Sequence, residues 1–383
     1  YEFSACLVGS EMCIRDRSQT DYMHPFQDSL QTWFSRKLPS RSQNKCSDFP
    51  LFLSSDIGLV RKENQDRVAA IHTGKNSVNP ILAIAVADGM GGMRDGGVCS
   101  TMALSGFFYA LIHHRNLALS RRAEESIRYA NEFVYDRYSG NGGSTLTAIL
   151  IDENLKSVLV HLGDSRIYTF RPHGKVERKT VDDSLAEAVG GTGRELLQFV
   201  GMGESMRAKI ADFPIDTDSC AITTDGIHGI GEDTLHRILE NSSDIEQASL
   251  RLSALSRWFG GHDNSTSAMI DLRGISEALS NYQGSGIRLW DAHGDLVTLW
   301  LRDENPATID RQPPSSDNDA ETKKRGGENK EASTSSEERA RAKKKSRPDQ
   351  KRKKKENGSS DSVQLDIEIG SSEDQGESGA DSK

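Results

Sequence analysis

Four aspartates in this chain stand where a largely apolar run breaks into glycine or small polar residues. Residues 81–87 lead into Asp88-Gly89-Met90-Gly91-Gly92. Residues 158–162 lead through Gly163 to Asp164, and 220–224 lead to Asp225-Gly226. Gly261-His262 precede Asp263-Asn264, after which residues 265–270 read as another strand. An aspartate at a strand tip presents a hard oxygen donor, and a neighbouring glycine leaves a backbone carbonyl bare. Together they suit magnesium or manganese. A single Asp-Gly is better explained as a turn. Recurrence changes that balance: carboxylates brought together repel unless cations lie among them, so the pattern points to a binuclear metal centre.

In this order the residues resemble the metal-dependent protein phosphatases of type 2C. Gly58-Leu59-Val60-Arg61-Lys62-Glu63-Asn64-Gln65-Asp66 looks like that family's opening motif, and Asp88-Gly89-Met90-Gly91-Gly92 like its second. Gly143-Ser144-Thr145-Leu146-Thr147-Ala148, Gly163-Asp164-Ser165-Arg166, Thr224-Asp225-Gly226 and Asp263-Asn264 follow in the family's order, across roughly residues 51–272. The resemblance implies a serine/threonine protein phosphatase that hydrolyses phosphomonoesters with water activated by two Mn2+ or Mg2+ ions, about 3.5 to 4 Å apart. By it, Asp88 would bridge both metals, Asp225 and Asp263 would hold one, and the Gly89 carbonyl would bind the other. Asp164 with Asp225 would take a weaker third ion, with turn capping an equal reading of Asp164. Asp66 would orient the attacking water, and Arg61 would grip phosphoryl oxygens, where its plain alternative is a surface salt bridge. Thr145 would support the core beside the site. The implied partners are phosphorylated serine/threonine proteins and a cognate protein kinase.

Five positions depart from the family pattern, Thr224 and Ser265 being less usual choices beside their aspartates. Gln65 stands where many relatives carry glutamate, Met90 where animal relatives often carry histidine, and Asp183 where a histidine is common. No direct carboxylate ligand is lost, and the Asp-Gly-Met-Gly-Gly form is bacterial in style. Gln65 and Asp183 keep open a phosphoprotein-binding pseudophosphatase. A basic tail keeps open a scaffold recruited to nucleic acid or membrane.

These residues need elements to carry them. An apolar stretch from 98 to 114 reads as a buried helix, and Ala123, Ile127, Ala130 and Val134 space out a second, capped by Ser120. Residues 145–151 and 157–162 read as a hairpin, and 166–170 as a further strand. Ile245, Ala248, Leu252, Leu255 and Phe259 share a helical face ahead of Asp263. Hairpins alternating with long helices imply an α+β domain. The family resemblance sharpens this to a four-layer sandwich, two antiparallel β-sheets flanked by α-helices, with the metal centre at one edge.

Of 383 residues 35% are hydrophobic, and they concentrate between 51 and 272. We divide the chain into a leader (1–48), a catalytic domain (49–272), a hairpin extension (273–302) and a charged tail (303–383) of disordered composition. Residues 1–17 resemble translated adapter sequence, and 18–48 read as polar and irregular. In the extension, Trp290 and Trp300 are expected to pack rather than to dock a partner. Residues 339–355 are dominated by lysine and arginine, a patch for an anionic partner, whereas the net charge of −9 argues against general nucleic-acid affinity. No apolar stretch reads as long enough to span a bilayer. Five scattered cysteines and no signal-peptide pattern point to a reducing compartment, the cytoplasm.

Overall fold

The computed structural model describes residues 23–298 except 192, 194, 216 and 217. Among the described residues thirteen strands form two sheets, every neighbouring pair antiparallel. Along the chain the strands are β1 (Arg41–Lys45), β2 (Leu51–Asp56), β3 (Asp66–His72), β4 (Ile81–Asp88), β5 (Leu146–Asp152), β6 (Ser157–Leu162) and β7 (Arg166–Phe170). They continue as β8 (Glu177–Arg178), β9 (Lys209–Asp212), β10 (Ser219–Thr223), β11 (Ser265–Asp271), β12 (Ile287–Asp291) and β13 (Gly294–Thr298). The first sheet runs β1-β2-β11-β10-β7-β8 and the second β13-β12-β3-β4-β5-β6-β9. The helices are α1 (Pro25–Ser35), α2 (Gly96–His113), α3 (Leu119–Tyr138), α4 (Leu185–Val189), α5 (Asp225–His228), α6 (Glu232–Glu240), α7 (Ile245–Trp258) and α8 (Leu272–Asn281).

Strand alternation explains the layers. In β4, Ile81, Ala83, Ala85 and Ala87 face α1, α2 and α3, while Leu82, Ile84 and Val86 face the other sheet. A strand buried on both faces must be apolar throughout, which is why residues 81–87 form an unbroken run. The first sheet repeats the logic. Leu53, Ile222, Ala268 and Ile270 point into the space between sheets, and Phe52, Ala221 and Met269 point out against α6 and α7. Helix–sheet–sheet–helix follows, the four layers expected.

Three expectations fail. Residues 23–48 are not irregular: they form α1 and β1, and Phe26, Leu30 and Phe34 of α1 are buried in the core beneath the second sheet. Their spacing of four was a legible helical signal. Helix α2 is, by length and composition, the one described helix apolar enough to cross a membrane, against the sequence reading; 83% of it is buried inside the protein, as in a core helix. Ser120 is not the cap of α3, whose first flanking residue is Ala118 with no side-chain cap. The 287–298 hairpin joins the second sheet through β12 on β3, and Trp290 is buried in the inter-sheet core. Trp300, residues 1–22 and the charged tail lie outside the described residues.

Candidate active site

The alternation that builds the core also aims the site. On β3, Val68 and Ala70 face the inter-sheet space. Asp66, two positions back, therefore faces it as well, and on β4 the same parity carries Leu82, Ile84 and Val86 on to Asp88. Asp66 and Asp88 are direct cross-strand partners. From the opposite sheet, β10 ends at Thr223, and Thr224 donates its hydroxyl to Asp66 Oδ2 at 3.0 Å. Thr224 also receives the Thr266 backbone N–H on its Oγ1 at 3.0 Å, locking β10 to β11 where Asp225 and Asp263 emerge.

The loops around the carboxylates are fixed by backbone contact. The Gly89 N–H donates to Gln65 O at 3.1 Å, and a Cβ on Gly89 would lie 2.1 Å from Gly96 O. Glycine is thus required here by the approach of α2, a reason separate from leaving the carbonyl open to a ligand. Gly226 is tighter still, since a Cβ would lie 1.9 Å from Asn264 O. Asn264 accepts the Gln65 N–H at 2.8 Å and donates to Ile57 O and Glu63 O at 2.9 and 3.1 Å. One side chain therefore ties the segment carrying Arg61 to the segment carrying Asp263. Arg67 plays the same part on the other flank, donating from Nε to Phe34 O and Thr101 Oγ1 and from Nη1 to Asn64 O and Asp66 O.

Thr145 Oγ1 accepts the Asp88 N–H at 3.0 Å and pairs with Ser165 Oγ at 2.9 Å, the supporting position expected of it. Asp183 accepts the Gly163 N–H at 3.0 Å, so the carboxylate that departs from the family pattern holds the turn bearing Asp164. Thr224 and Asn264 were named from sequence only as parts of motifs, without these bonding roles, and Thr266 and Arg67 were given none. Their roles depend on strands distant in the chain, and only the parity of each strand hints at them.

Electrostatics brings the aspartates into one field. Burial first, then the Asp225 charge, pushes Asp66 up to about 7, against hydrogen bonds from Thr266 and Thr224. Asp88 is raised well above the usual carboxylate range by burial and then by Asp66, Asp225, Asp164 and Asp263. Burial and Asp225 likewise lift Asp164 to about 7. Arg61 is the cation beside them: its Nη2 donates to Asp263 Oδ2 at 2.7 Å, and Asp225 and Asp88 also act on it. The salt bridge weighed from sequence is present, within the carboxylate group rather than apart from it.

A hard divalent cation fits this donor set in kind. All candidate ligands are oxygens, burial and neighbouring charge disfavour ionisation of Asp66, Asp88 and Asp164, and Asp66 Oδ1 is buried without a hydrogen-bond partner. Among the described residues no three His, Cys, Asp or Glu side chains close into a ready-made metal cage. A cation would therefore complete the arrangement rather than enter a finished one.

No protein-family model matches the chain. It is 25% identical over 241 residues to the serine/threonine phosphatase stp of Listeria monocytogenes, covering 57% of this chain and 93% of that one. It is 32% identical over 145 residues to the serine/threonine protein phosphatase PstP of Mycobacterium tuberculosis, covering 37% of this chain and 26% of that one. The crystal structure of the serine/threonine phosphatase Stp1 from Staphylococcus aureus superposes with a TM-score of 0.51 at 20% identity, over 61% of this chain and 98% of that one. The last shows a shared fold.

Proposed function

We propose that the chain, which shares its ordered motifs and its fold with the type 2C metal-dependent protein phosphatases, removes phosphate from phosphoserine and phosphothreonine in proteins. The observation that carries the reading is the meeting of Asp66, Asp88, Asp164, Asp225 and Asp263 in one field with Arg61 among them. The names of the Listeria and Mycobacterium relatives support the substrate class. In our reading Asp88, Asp225, Asp263 and the Gly89 carbonyl hold two divalent cations, Mn2+ or Mg2+, and Asp164 with Asp225 a weaker third. When bound, such ions supply positive charge against phosphoryl oxygens and lower the pKa of water.

The chain's own groups do the rest. Arg61 exchanges its Asp263 partner for the substrate's phosphoryl oxygens, which its planar fork matches. Asp66 Oδ1, a buried acceptor with no partner, would accept a hydrogen bond from the attacking water and orient it in line with phosphorus. Thr224 on Oδ2 fixes the carboxylate plane while it does so. Substrate proteins, the opposing kinase and a cytoplasmic setting belong to the same proposal. The test is release of phosphate from a small aryl phosphate and from a phosphothreonine peptide in manganese. Turnover of both, abolished by chelator and restored by manganese, is expected. Binding of the phosphopeptide without turnover at saturating metal would overturn the reading in favour of a pseudophosphatase.

A further inference from the structure

At the other end of β4 and β5 from Asp88, roughly 20 Å away by the rise of an eight-residue strand, lies a second group of polar atoms. A cleft of about 150 Å³ opens between the 79–80 turn, the 116–119 segment that starts α3, and the 152–154 turn. Arg122 lines it, and this arginine is 1% exposed. Its Nε donates to Leu111 O at 2.5 Å and its Nη1 to Asn79 O at 2.9 Å, both neutral carbonyls. Nη2 is buried with no hydrogen-bond partner. Among the described residues no carboxylate pairs with the guanidinium. Burial, followed by the like charge of Arg115, pulls its pKa down to about 10.

A buried guanidinium answered only by carbonyls is costly, because nothing offsets the lost hydration of the charge. The same cleft holds the start of a 20-residue helix. Ala118 precedes Leu119 with no side-chain cap, so the first N–H groups of α3 lack the usual side-chain acceptor, and the helix dipole leaves positive potential there. Asp152 and Glu153 also line the cleft, and neither is ion-paired with the guanidinium. Asp152 Oδ1 is occupied by the Asn154 and Lys156 N–H groups at 2.9 Å each, and Glu153 is exposed.

We propose that the cleft formed by Arg122 and the amino end of α3 is a binding site for a small oxyanion, distinct from the carboxylate centre. Two independent sources of positive potential converge there, and an oxyanion can accept from a guanidinium and from helix N–H groups at once. The ligand chemistry is a phosphate or carboxylate head group, and the two are separable by probe.

The test uses the full chain and thermal-shift titrations with inorganic phosphate, with acetate, and with chloride at matched ionic strength. Two variants accompany the wild type. Arg122→Gln removes the charge but also disturbs the carbonyls it holds. Ala118→Asp instead brings a carboxylate to the cleft as an N-cap, a change that favours the helix. Being remote from Asp88, it leaves any phosphate binding at the carboxylate centre intact. The expected result is a saturable rise in melting temperature for wild type that Ala118→Asp lacks. A difference seen with phosphate identifies a phosphate site, and one seen only with acetate identifies a carboxylate site. Phosphate and acetate curves that coincide between wild type and Ala118→Asp, or that merely track chloride, overturn the proposal. Phosphatase activity enters none of these readings, so failure here is separate from failure of the proposed function.

Discussion

Among the aspartates of the proposed centre, Asp66 is held by Thr224, and Asp263 by Arg61 and the Asn264 N–H, and substitutions at this centre are sharp tests. Asparagine in place of Asp225 or Asp263 keeps size and removes charge. We expect either variant to lose at least about a hundredfold in turnover, the order of a missing electrostatic contact of about 3 kcal/mol. Folding should be retained, as read by circular dichroism. Wild-type rates at saturating manganese would remove both from the metal assignment. Arg61 is a different kind of residue. Its ion pair with Asp263 joins side chains 41% and 30% exposed, and such a pair adds little to stability. Arg61→Ala should therefore leave the melting temperature near wild type. A lost contact to phosphate of about 1.5 to 3 kcal/mol predicts a fall in kcat/KM of about 10- to 100-fold. Manganese affinity should hold or tighten, since Asp263 loses a competitor. Collapse of metal affinity with normal turnover at saturating metal would assign Arg61 to the metal instead.

Elements carry a second dependence, on pH, remote from the site. His72 closes β3 with its ring edge-on to Tyr282 at 4.4 Å and tilted against Phe49 at 5.1 Å. Its Nδ1 accepts the Gly74 N–H at 3.1 Å, which a protonated nitrogen cannot do. Burial lowers its pKa from 6.5 to about 4. The unfolded chain thus binds the proton more readily than the folded one. Stability is complete above about pH 6.5, falls as pH drops toward about 4, and levels below that. The limit for such a shift is about 3 kcal/mol, and buried His228, lowered in the same direction, adds to the slope. Denaturant midpoints from about pH 7 to about pH 5 should fall less steeply in His72→Phe than in wild type. Parallel slopes would show that His72 titrates alike in both states. The elements also show why sequence reading succeeded where it did. The run before Asp88 was legible because β4 is apolar on both faces, and Asp225 and Asp263 because glycine or asparagine abuts each. Asp66 against Asp88, Thr224 on Asp66 and Asn264 across to the 57–65 loop were not legible, since each is set by pairing between segments far apart in sequence. In α1 the spacing of Phe26, Leu30 and Phe34 is a helical signal diluted by the polar residues between them, and packing on α2 turns it into a buried face.

At the scale of the whole molecule, the amino-terminal helix and the last hairpin hold one another and reach the site together. Trp33 Nε1 donates to Asp291 Oδ2 at 2.9 Å, and Arg36 Nη2 meets both oxygens of that carboxylate at 2.9 and 2.6 Å. Asp291 is 3% exposed and lies on β12, beside β3, which begins at Asp66. Phe34 O, at the end of the same helix, accepts from Arg67, the neighbour of Asp66. A fragment that begins at residue 45, and so lacks most of the leader drawn at residues 1–48, therefore loses more than a tail. Burial of Phe26, Leu30 and Phe34 contributes about 1.5 to 3 kcal/mol each. Removing Arg36 and Trp33 also leaves a buried carboxylate with only the His293 N–H among its partners in this region, and such a residual charge is strongly destabilising. Together these approach the whole stability of an ordinary domain, about 5 to 15 kcal/mol. Residues 23–302 and 45–302 should then differ plainly: the longer fragment unfolds cooperatively in urea and turns over substrate, whereas the shorter is largely unfolded without denaturant. Restoring activity to the shorter fragment with a peptide of residues 23–44 would strengthen the argument, because the peptide returns both the core contacts and the Arg67 acceptor. Equal midpoints for the two fragments would mean that α1 lies on the core without supporting it, and that Asp66 is positioned by the sheets alone.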